Sequence, residues 1–237
     1  MKVRWFIKFL AVTLFLGAVP AMADSIPIQL GSLVPVGSCV PTTSWTCVGP
    51  GSVTAPVAGL GTITISAFKP WPSTLGNIGV TLDSNSSSLV PYLGVTGGNN
   101  WDEIDIEPPA EVLQITFSAP VFVNTLDLNK LFLVGFRGDT NNEVAGVNYI
   151  LGGSFLGANF YLGTENGMLT VNNPFGNTPI DTVQFWGVPT SSATDTTNSD
   201  FGVSALSVTP VPEPGTLLLL GSGLTLIAAR LRRRKSS

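Results

Sequence analysis

Short apolar runs separated by turn-forming residues are the feature that most constrains this chain. The segment EVLQITFSAPVFVNTLDL at 111–128 predicts a strand at 112–117, a turn at 118–120 and a strand at 121–128. Comparable runs lie at 61–68, 77–83, 131–136, 143–151, 158–162, 167–172, 180–186 and 201–208. Since no segment between them has a strong helical period, the pattern predicts an all-β protein with one β-sandwich domain that is jelly-roll-like in its strand order.

The predicted sandwich occupies residues 61–209. Residues 24–60 are rich in proline and glycine, and we expect them to form an irregular N-terminal segment. A polar stretch at 189–200 is expected to be a long loop between the last two strands.

The first 23 residues have the three parts of a secretory signal peptide. A basic start is followed by an uncharged, largely apolar run at 9–19, and small residues then stand at Ala21 and Ala23. Cleavage is expected before Asp24. The alternative, a permanent transmembrane anchor, would need about 20 apolar residues, roughly twice the length of this run.

Two cysteines, Cys39 and Cys47, lie in the irregular segment. In an oxidising compartment they are expected to form a disulfide, which would stabilise the protein by about 2–3 kcal/mol. The alternative is a pair of free thiols. The chain has no histidine, so a zinc site built on this pair has no imidazole to complete it.

The C-terminus has a different chemistry. Pro212 and Pro214 favour an extended chain at 211–214, and the uncharged, mostly apolar run at 215–229 follows. As a helix this run is about 22 Å long, a short span for a hydrocarbon core of about 30 Å. The basic cap at 230–235 is expected to hold that end in the cytoplasm, and it comprises Arg230, Arg232, Arg233, Arg234 and Lys235. A core helix with a basic end is the alternative.

These three elements together resemble the PEP-CTERM sorting signal of Gram-negative bacteria, over residues 210–235. The resemblance implies recognition by exosortase, a membrane-embedded cysteine transpeptidase-like enzyme, through the motif residues Val211, Pro212, Glu213 and Pro214. It also implies that 215–229 is a transient single-pass anchor and that the basic cap is a stop-transfer signal. Proteins with this signal are typically exported to the cell surface or the extracellular matrix in species that make exopolysaccharide and biofilm.

Removing both ends makes the protein strongly acidic. Between Asp24 and Glu213 there are fifteen acidic residues and three basic ones, a formal charge of −12 against −4 for the whole chain. Such a surface repels nucleic acid and anionic lipid, so neither is an expected ligand of the mature protein. It suits divalent cations or neutral sugars.

Catalytic residues are scarce, because a chain without histidine lacks the usual triads and the commonest metal ligand. The one concentration of acids is WDEIDIEPPAE at 101–111, for which three interpretations stay open. One is a solvated strand face, with Glu103, Asp105 and Glu107 outward, and another is a glycosidase acid–base pair. The third interpretation, by analogy with jelly-roll carbohydrate modules, is a structural Ca²⁺ site with ligands from Asp102, Glu103, Asp105 and Asp200.

Exposed aromatic side chains are the other route to a function. Trp71 and Trp101 are candidates for stacking on sugar rings, and Trp45, Tyr92, Tyr161 and Trp186 are further ones, although aromatic residues more often pack in cores. We therefore expect a non-enzymatic exported protein, processed by signal peptidase and exosortase, that serves adhesion or matrix organisation and binds exopolysaccharide. The alternatives are a purely structural matrix protein and a carboxylate-dependent glycoside hydrolase.

Overall fold

The structure, a computed structural model, describes residues 24–33, 46–69, 76–82, 90–96, 103–106, 111–135, 141–189, 199–212 and 221–225. The chain divides into two compact units. Ser25–Val211 form one of them, which we call the body, and the two chain ends, Met1–Asp24 and Pro212–Ser237, form the other.

Twelve strands and one short helix make up the body in the described residues. The strands are β1 (Ile26–Gln29), β2 (Thr46–Gly49), β3 (Ser52–Val57), β4 (Gly61–Phe68), β5 (Asn77–Leu82), β6 (Pro91–Thr96), β7 (Val112–Asn129), β8 (Val144–Leu151), β9 (Ser154–Leu162), β10 (Leu169–Asn172), β11 (Ile180–Gly187) and β12 (Gly202–Pro210). The helix α1 is a single turn at Leu30–Leu33.

All twelve strands belong to one continuous sheet, which the long strand β7 divides into two halves. The first half of β7 pairs with β4 and β11, and its second half pairs mainly with β12 and β10. We call these halves of the sheet sheet 1, with the order β3-β4-β7-β11-β8-β9, and sheet 2, with the order β2-β5-β6-β12-β7-β10 and with β1 also paired to β12. A strand that passes from one sheet to the other is a known way of forming the corner of a β-sandwich.

The predicted turn at 118–120 is wrong, because β7 runs through it. On the β11 side the register moves from Thr182 opposite Thr116 to Ile180 opposite Val121, which leaves a bulge at 117–120. Pro120 has no N–H to give to a ladder, so a bulge is where a strand accommodates it. The side chain of Ser118 accepts a hydrogen bond from the Thr62 N–H (3.1 Å).

The core lies between the two sheets and follows from strand alternation. Ile63 and Ile65 of β4, Leu113 and Ile115 of β7, and Val183 and Phe185 of β11 point inward from sheet 1. They belong to one buried cluster with residues of sheet 2, such as Leu206 and Val208 of β12. Each such side chain contributes roughly 1.5–3 kcal/mol of hydrophobic stabilisation. The predicted all-β sandwich is confirmed.

Two local predictions need correction. Residues 24–60 are not simply irregular, because their described part contributes β1, β2 and β3, and β3 tolerates Pro56 because its described pairing is on one side, with β4. The predicted strand at 131–136 is also wrong in its described part. Lys130 has a left-handed backbone (φ 64°) that turns the chain out of β7, and the segment makes a single bridge, from Phe132 to Thr164.

The chain ends are described only in part. Residues 221–225 are helical, within the predicted anchor at 215–229. Among the residues that the structure describes, no helix is both long enough and apolar enough to cross a membrane. The signal-peptide residues Ala21 and Ala23 lie outside the described part, and Asp24 is exposed.

Candidate functional site

A row of three side-chain amides crosses the outer face of sheet 1, away from the core. Gln114 of β7, Gln184 of β11 and Asn148 of β8 are cross-strand neighbours in register. The Gln184 side chain donates to Gln114 Oε1 (2.9 Å), and the Asn148 side chain donates to Gln184 Oε1 (3.3 Å). These three residues, called the amide row below, hold one another in a fixed orientation.

Trp186 lies at one end of the amide row. Its indole N–H donates to Asn148 Oδ1 (3.2 Å), and Phe160 meets it edge to face, with ring centroids 6.0 Å apart. The indole lies directly over Gly146, where a Cβ atom would come within 2.4 Å of Trp186 Cε2. Any larger residue at position 146 would therefore displace the indole.

A cavity of about 260 Å³ opens beside the indole and the amide row. Asp105 and Glu111 lie on its other side. Close packing holds Ile106 against the end of β11, since a Cβ on Gly187 would lie 3.2 Å from Ile106. The cavity is lined by Asn148, Gln184 and Trp186 and by Asp105, Glu111, Val112 and Gly187.

Two carboxyl groups lie on this side of the cavity. Glu111 binds Lys69 through Oε1 (2.7 Å) and accepts the Asp105 N–H at Oε2 (3.0 Å). Its own N–H donates to the Asp105 carbonyl (3.1 Å). Burial raises the pKa of Glu111 to about 7, although the hydrogen bonds from Lys69 and from the Asp105 backbone act in the opposite direction.

Asp105 is only 1% exposed, so the interpretation of this segment as a solvated strand face is wrong at this residue. The side chain is a buried polar group that lines a cavity. The arrangement as a whole offers an aromatic surface, fixed amide groups and carboxylates around a concave space, which is the composition of a small-ligand site.

A second acidic cluster lies at the start of β12. Glu103 and Asp200 share a side-chain hydrogen bond, Lys130 Nζ is 3.3 Å from Glu103 Oε1, and the Tyr92 hydroxyl donates to the same oxygen (3.3 Å). Burial, and then the Asp200 carboxylate, raise the pKa of Glu103 to about 8, and Lys130 opposes them.

The predicted calcium ligands are therefore divided between two places. Glu103 and Asp200 come together as predicted, but Asp105 lines the cavity, and Asp102 lies outside the described residues. In the described ranges, no group of three or more acids or cysteines is placed to hold a metal ion. Two carboxyls, one of which also contacts a lysine, offer few of the six to eight oxygens that Ca²⁺ requires. The calcium site stays a prediction.

Several other predicted residues lie wholly or partly outside the described part. Of the sorting motif, Val211 donates its N–H to Pro120 (3.0 Å) and Pro212 is exposed. Cys47 is described only by its backbone, which pairs with Val80 in sheet 2, so the disulfide stays a prediction. Not described are Trp71, Trp101, Cys39, Glu213, Pro214, Arg230, Arg232, Arg233, Arg234 and Lys235.

Sequence reasoning named Trp186 among the aromatic candidates but missed the amide row. A signal existed, because Thr182, Gln184 and Trp186 alternate with the core residues of β11 and so share its outer face. Which residues of β7 and β8 stand beside Gln184 depends on the register, which the sequence does not display.

Comparison with known proteins concerns mainly the C-terminus. No curated protein matches the chain. Among solved structures, a DUF4465 family protein from Bacteroides caccae ATCC 43185 aligns with a TM-score of 0.48 and 9% identity, covering 79% of this chain and 100% of that one. Residues 210–235 match the PEP-CTERM protein-sorting motif, the span that the sequence predicted. The chain thus carries the sorting signal of an exosortase-processed protein, which implies export, a transient C-terminal membrane anchor and the cell envelope as destination.

Proposed function

We propose that the body is a non-catalytic sugar-binding module of an envelope or matrix protein, and that the cavity beside Trp186 is its binding site. The observation that carries the proposal is the placement of an indole, two amides and two carboxyls around one cavity of about 260 Å³. This volume is just below the usual range for drug-sized ligands, roughly 300–1,000 Å³, and suits one or two sugar rings.

The chemistry of the cavity favours a sugar. A pyranose has an apolar face of C–H groups and a rim of hydroxyls that both donate and accept hydrogen bonds. The indole of Trp186 supplies apolar aromatic surface, and each amide of Asn148 and Gln184 supplies donors and an acceptor. Because hydrogen bonds already orient these amides and the indole, little side-chain entropy is lost on binding.

The carboxyl groups support binding better than catalysis. A retaining glycosidase holds its two carboxyls about 5–5.5 Å apart, with the sugar between them. Glu103 and Asp200 hydrogen-bond each other directly, which leaves no room for a sugar. Glu111 uses both oxygens to bind Lys69 and the Asp105 backbone.

The sorting signal supports a role outside the inner membrane, and the resemblance behind it is to proteins of species that make exopolysaccharide. We propose adhesion or matrix organisation through that polymer, in biofilm. The rival is a purely structural matrix protein that binds no sugar. It predicts that the cavity residues can be replaced without loss of any binding.

The test is a calorimetric titration of the processed protein, purified from the exporting cell, with cello- and chito-oligosaccharides of up to six residues. We expect saturable binding that Trp186→Ala weakens by about tenfold or more, as loss of an aromatic stacking surface does. Phe155→Ala is the matched control, since Phe155 is exposed on β9 and does not line the cavity. Absence of saturable binding, or equal losses in both variants, would favour the structural rival.

A further inference from the structure

The strand β9 lies at the edge of sheet 1 and carries exposed apolar side chains. In the described part of the chain it pairs only with β8. We propose that β9 also pairs with β9 of a second copy of this protein, antiparallel and around a two-fold axis, so that two bodies share one continuous sheet. This inference goes beyond sugar binding and does not depend on it.

The direction of the main-chain groups of β9 follows from a hydrogen bond at its end. The Gly163 N–H donates to the Glu143 carbonyl (3.0 Å), in register with the β8–β9 ladder. Main-chain groups of successive residues point to opposite sides of a strand, so the odd-numbered residues of the regular part of β9 bond to β8. The even-numbered ones, Ala158, Phe160 and Leu162, therefore direct their N–H and C=O groups to the open edge.

The usual protection of an edge strand is missing from this part of β9. Natural proteins blunt such edges with a lysine, a proline or a bulge, which prevents further pairing. The strand β3, at the other edge of sheet 1, contains Pro56. The stretch 157–162 contains neither a proline nor a charged residue. The bulge of β9 lies before it, at Leu156, so the rest of the strand keeps a regular ladder.

The inner face of β9 holds the strand in shape. The Asn159 side chain donates to the Pro174 carbonyl (2.5 Å), and the Tyr161 hydroxyl donates to the same oxygen (3.3 Å). Together with the ladder to β8, these bonds keep the strand extended before a second copy arrives. Little backbone entropy is therefore lost when the open edge pairs.

A two-fold axis at Phe160 uses the whole open edge. With Phe160 opposite itself, Ala158 of each copy lies opposite Leu162 of the other, and these three residues can make about six main-chain hydrogen bonds across the contact. Opposite residues of an antiparallel pair have their side chains on the same face, so the two phenylalanine rings meet at the axis. The small side chain of Ala158 leaves room for the large one of Leu162, which makes the edge complementary to itself.

The charge distribution favours a second copy at this edge. Residues 144–162, which form β8 and β9, include no charged residue. The region from Asp24 to Glu213 has fifteen acidic residues and three basic ones, so copies of the mature protein repel one another over much of their surface. An uncharged edge is a place where two copies can approach without that repulsion.

The exposed area suits a weak but specific contact. The large apolar side chains exposed on β9 are Phe155 (64%), Leu156 (41%), Phe160 (59%) and Leu162 (51%). Since an aromatic side chain can bury about 150–250 Å², the two phenylalanines together offer about 250 Å² in each copy. With the leucines and the strand edges, the two copies would bury about 1,000 Å² in total, near the lower limit of a specific interface. We therefore expect a dissociation constant in the micromolar range.

The test is sedimentation velocity of the processed protein at concentrations from about 1 to about 200 μM, which span a micromolar equilibrium. We expect monomer and dimer and no larger species, because a two-fold contact uses the open edge of both copies. Leu162→Lys should weaken the dimer at least about tenfold, since it replaces an apolar contact with a charge beside the ladder. Thr54→Lys is the matched control, because it adds the same charge to an exposed position of β3, and it should dimerise like the wild type.

A cysteine at position 160 tests where the axis lies. Opposite Cα atoms of a hydrogen-bonded antiparallel pair are about 5.5 Å apart, a distance that a disulfide spans. Under mild oxidation Phe160→Cys should therefore give a covalent dimer on a non-reducing gel. Thr54→Cys, which retains the same two native cysteines, should not.

A wild type that stays monomeric at every concentration would overturn the inference. So would a dimer that Leu162→Lys leaves as tight as Thr54→Lys does, or cross-linking of Thr54→Cys as rapid as that of Phe160→Cys. If Leu162→Lys does not fold, sedimentation of the wild type and the two cysteine variants still decide. Sugar titrations report on the cavity beside Trp186, so the proposed function stands or fails separately from the dimer.

Discussion

Replacing Glu103 with glutamine should make the body more stable at neutral and alkaline pH. The pKa of Glu103 is raised from 4.5 to about 8, first by burial and then by the carboxylate of Asp200. Between these two pH values the folded protein keeps a proton that the unfolded chain releases. The stabilisation that comes from keeping this proton is fully present below the pKa of Glu103 in the unfolded chain. It is lost as the pH rises through the pKa of Glu103 in the folded protein, about 8.

The magnitude follows from the gap between the two pKa values. Each pH unit within the gap costs about 1.4 kcal/mol, so moving from about pH 5 to about pH 7 lowers the free energy of unfolding by up to about 3 kcal/mol. Glutamine has no such ionisation, and its amide can donate to Asp200 in place of the carboxylic acid. Loss of the contact with Lys130, which is partly exposed, should offset this gain by less than about 1 kcal/mol.

The assay is urea denaturation of the wild type and Glu103→Gln at pH 5, 6, 7 and 8, roughly the span between the two pKa values. The difference in unfolding free energy should grow with pH in favour of the variant. Glu111, with a pKa raised to about 7, lowers stability in the same direction but in both proteins, so it cancels in the difference. Parallel curves for the two proteins would refute the reasoning, because they would mean that Glu103 ionises in the folded state as easily as in the unfolded one.

Three further predictions concern the ends, the cysteines and the cavity. Replacing both Pro212 and Pro214 with alanine should free this segment from its extended conformation, so that exosortase processes it less well. Unprocessed protein should then accumulate in the membrane fraction, and mass spectrometry of whole cells would detect it. Thiol labelling of the exported protein should find no reactive cysteine. In the Cys39→Ser variant, Cys47 should react as a free thiol, and the unfolding free energy should fall by about 2–3 kcal/mol. Gly146→Ala should displace the indole of Trp186, which its Cβ would approach within 2.4 Å, costing about 1–3 kcal/mol in thermal unfolding and weakening sugar binding in titrations.

The strands with clear alternation were predictable from sequence. β4 was expected at 61–68 and occupies Gly61–Phe68, because two inward isoleucines alternate with small polar residues between turns. β1 and β6 were missed, since IPIQ is only four residues long and contains a proline, and PYLGVT begins with a proline and has no alternation. They are strands because β12 supplies a ladder for β1 and β5 supplies one for β6, which is a tertiary cause.

The candidate site was predictable only in part. The approach of Asp200 to Glu103 was anticipated from its position at the start of the last strand. The separation of Glu103 from Asp105 was not anticipated, since residues that stand two positions apart on a strand share a face. The chain here makes one isolated bridge, at Ile104, rather than a strand, so the two carboxyls have different partners.

The position of β12 has a consequence for the order of events during export. This strand, the last of the body, lies inside sheet 2, with β7 on one side and β1 and β6 on the other. A chain that crosses the membrane from its N-terminus delivers β12 after every other strand, so sheet 2 has a gap at its centre until residue 210 has emerged. The next residues to arrive belong to the sorting motif at 210–235. The sandwich can therefore close only after the whole body has emerged, which is just when the sorting motif follows it.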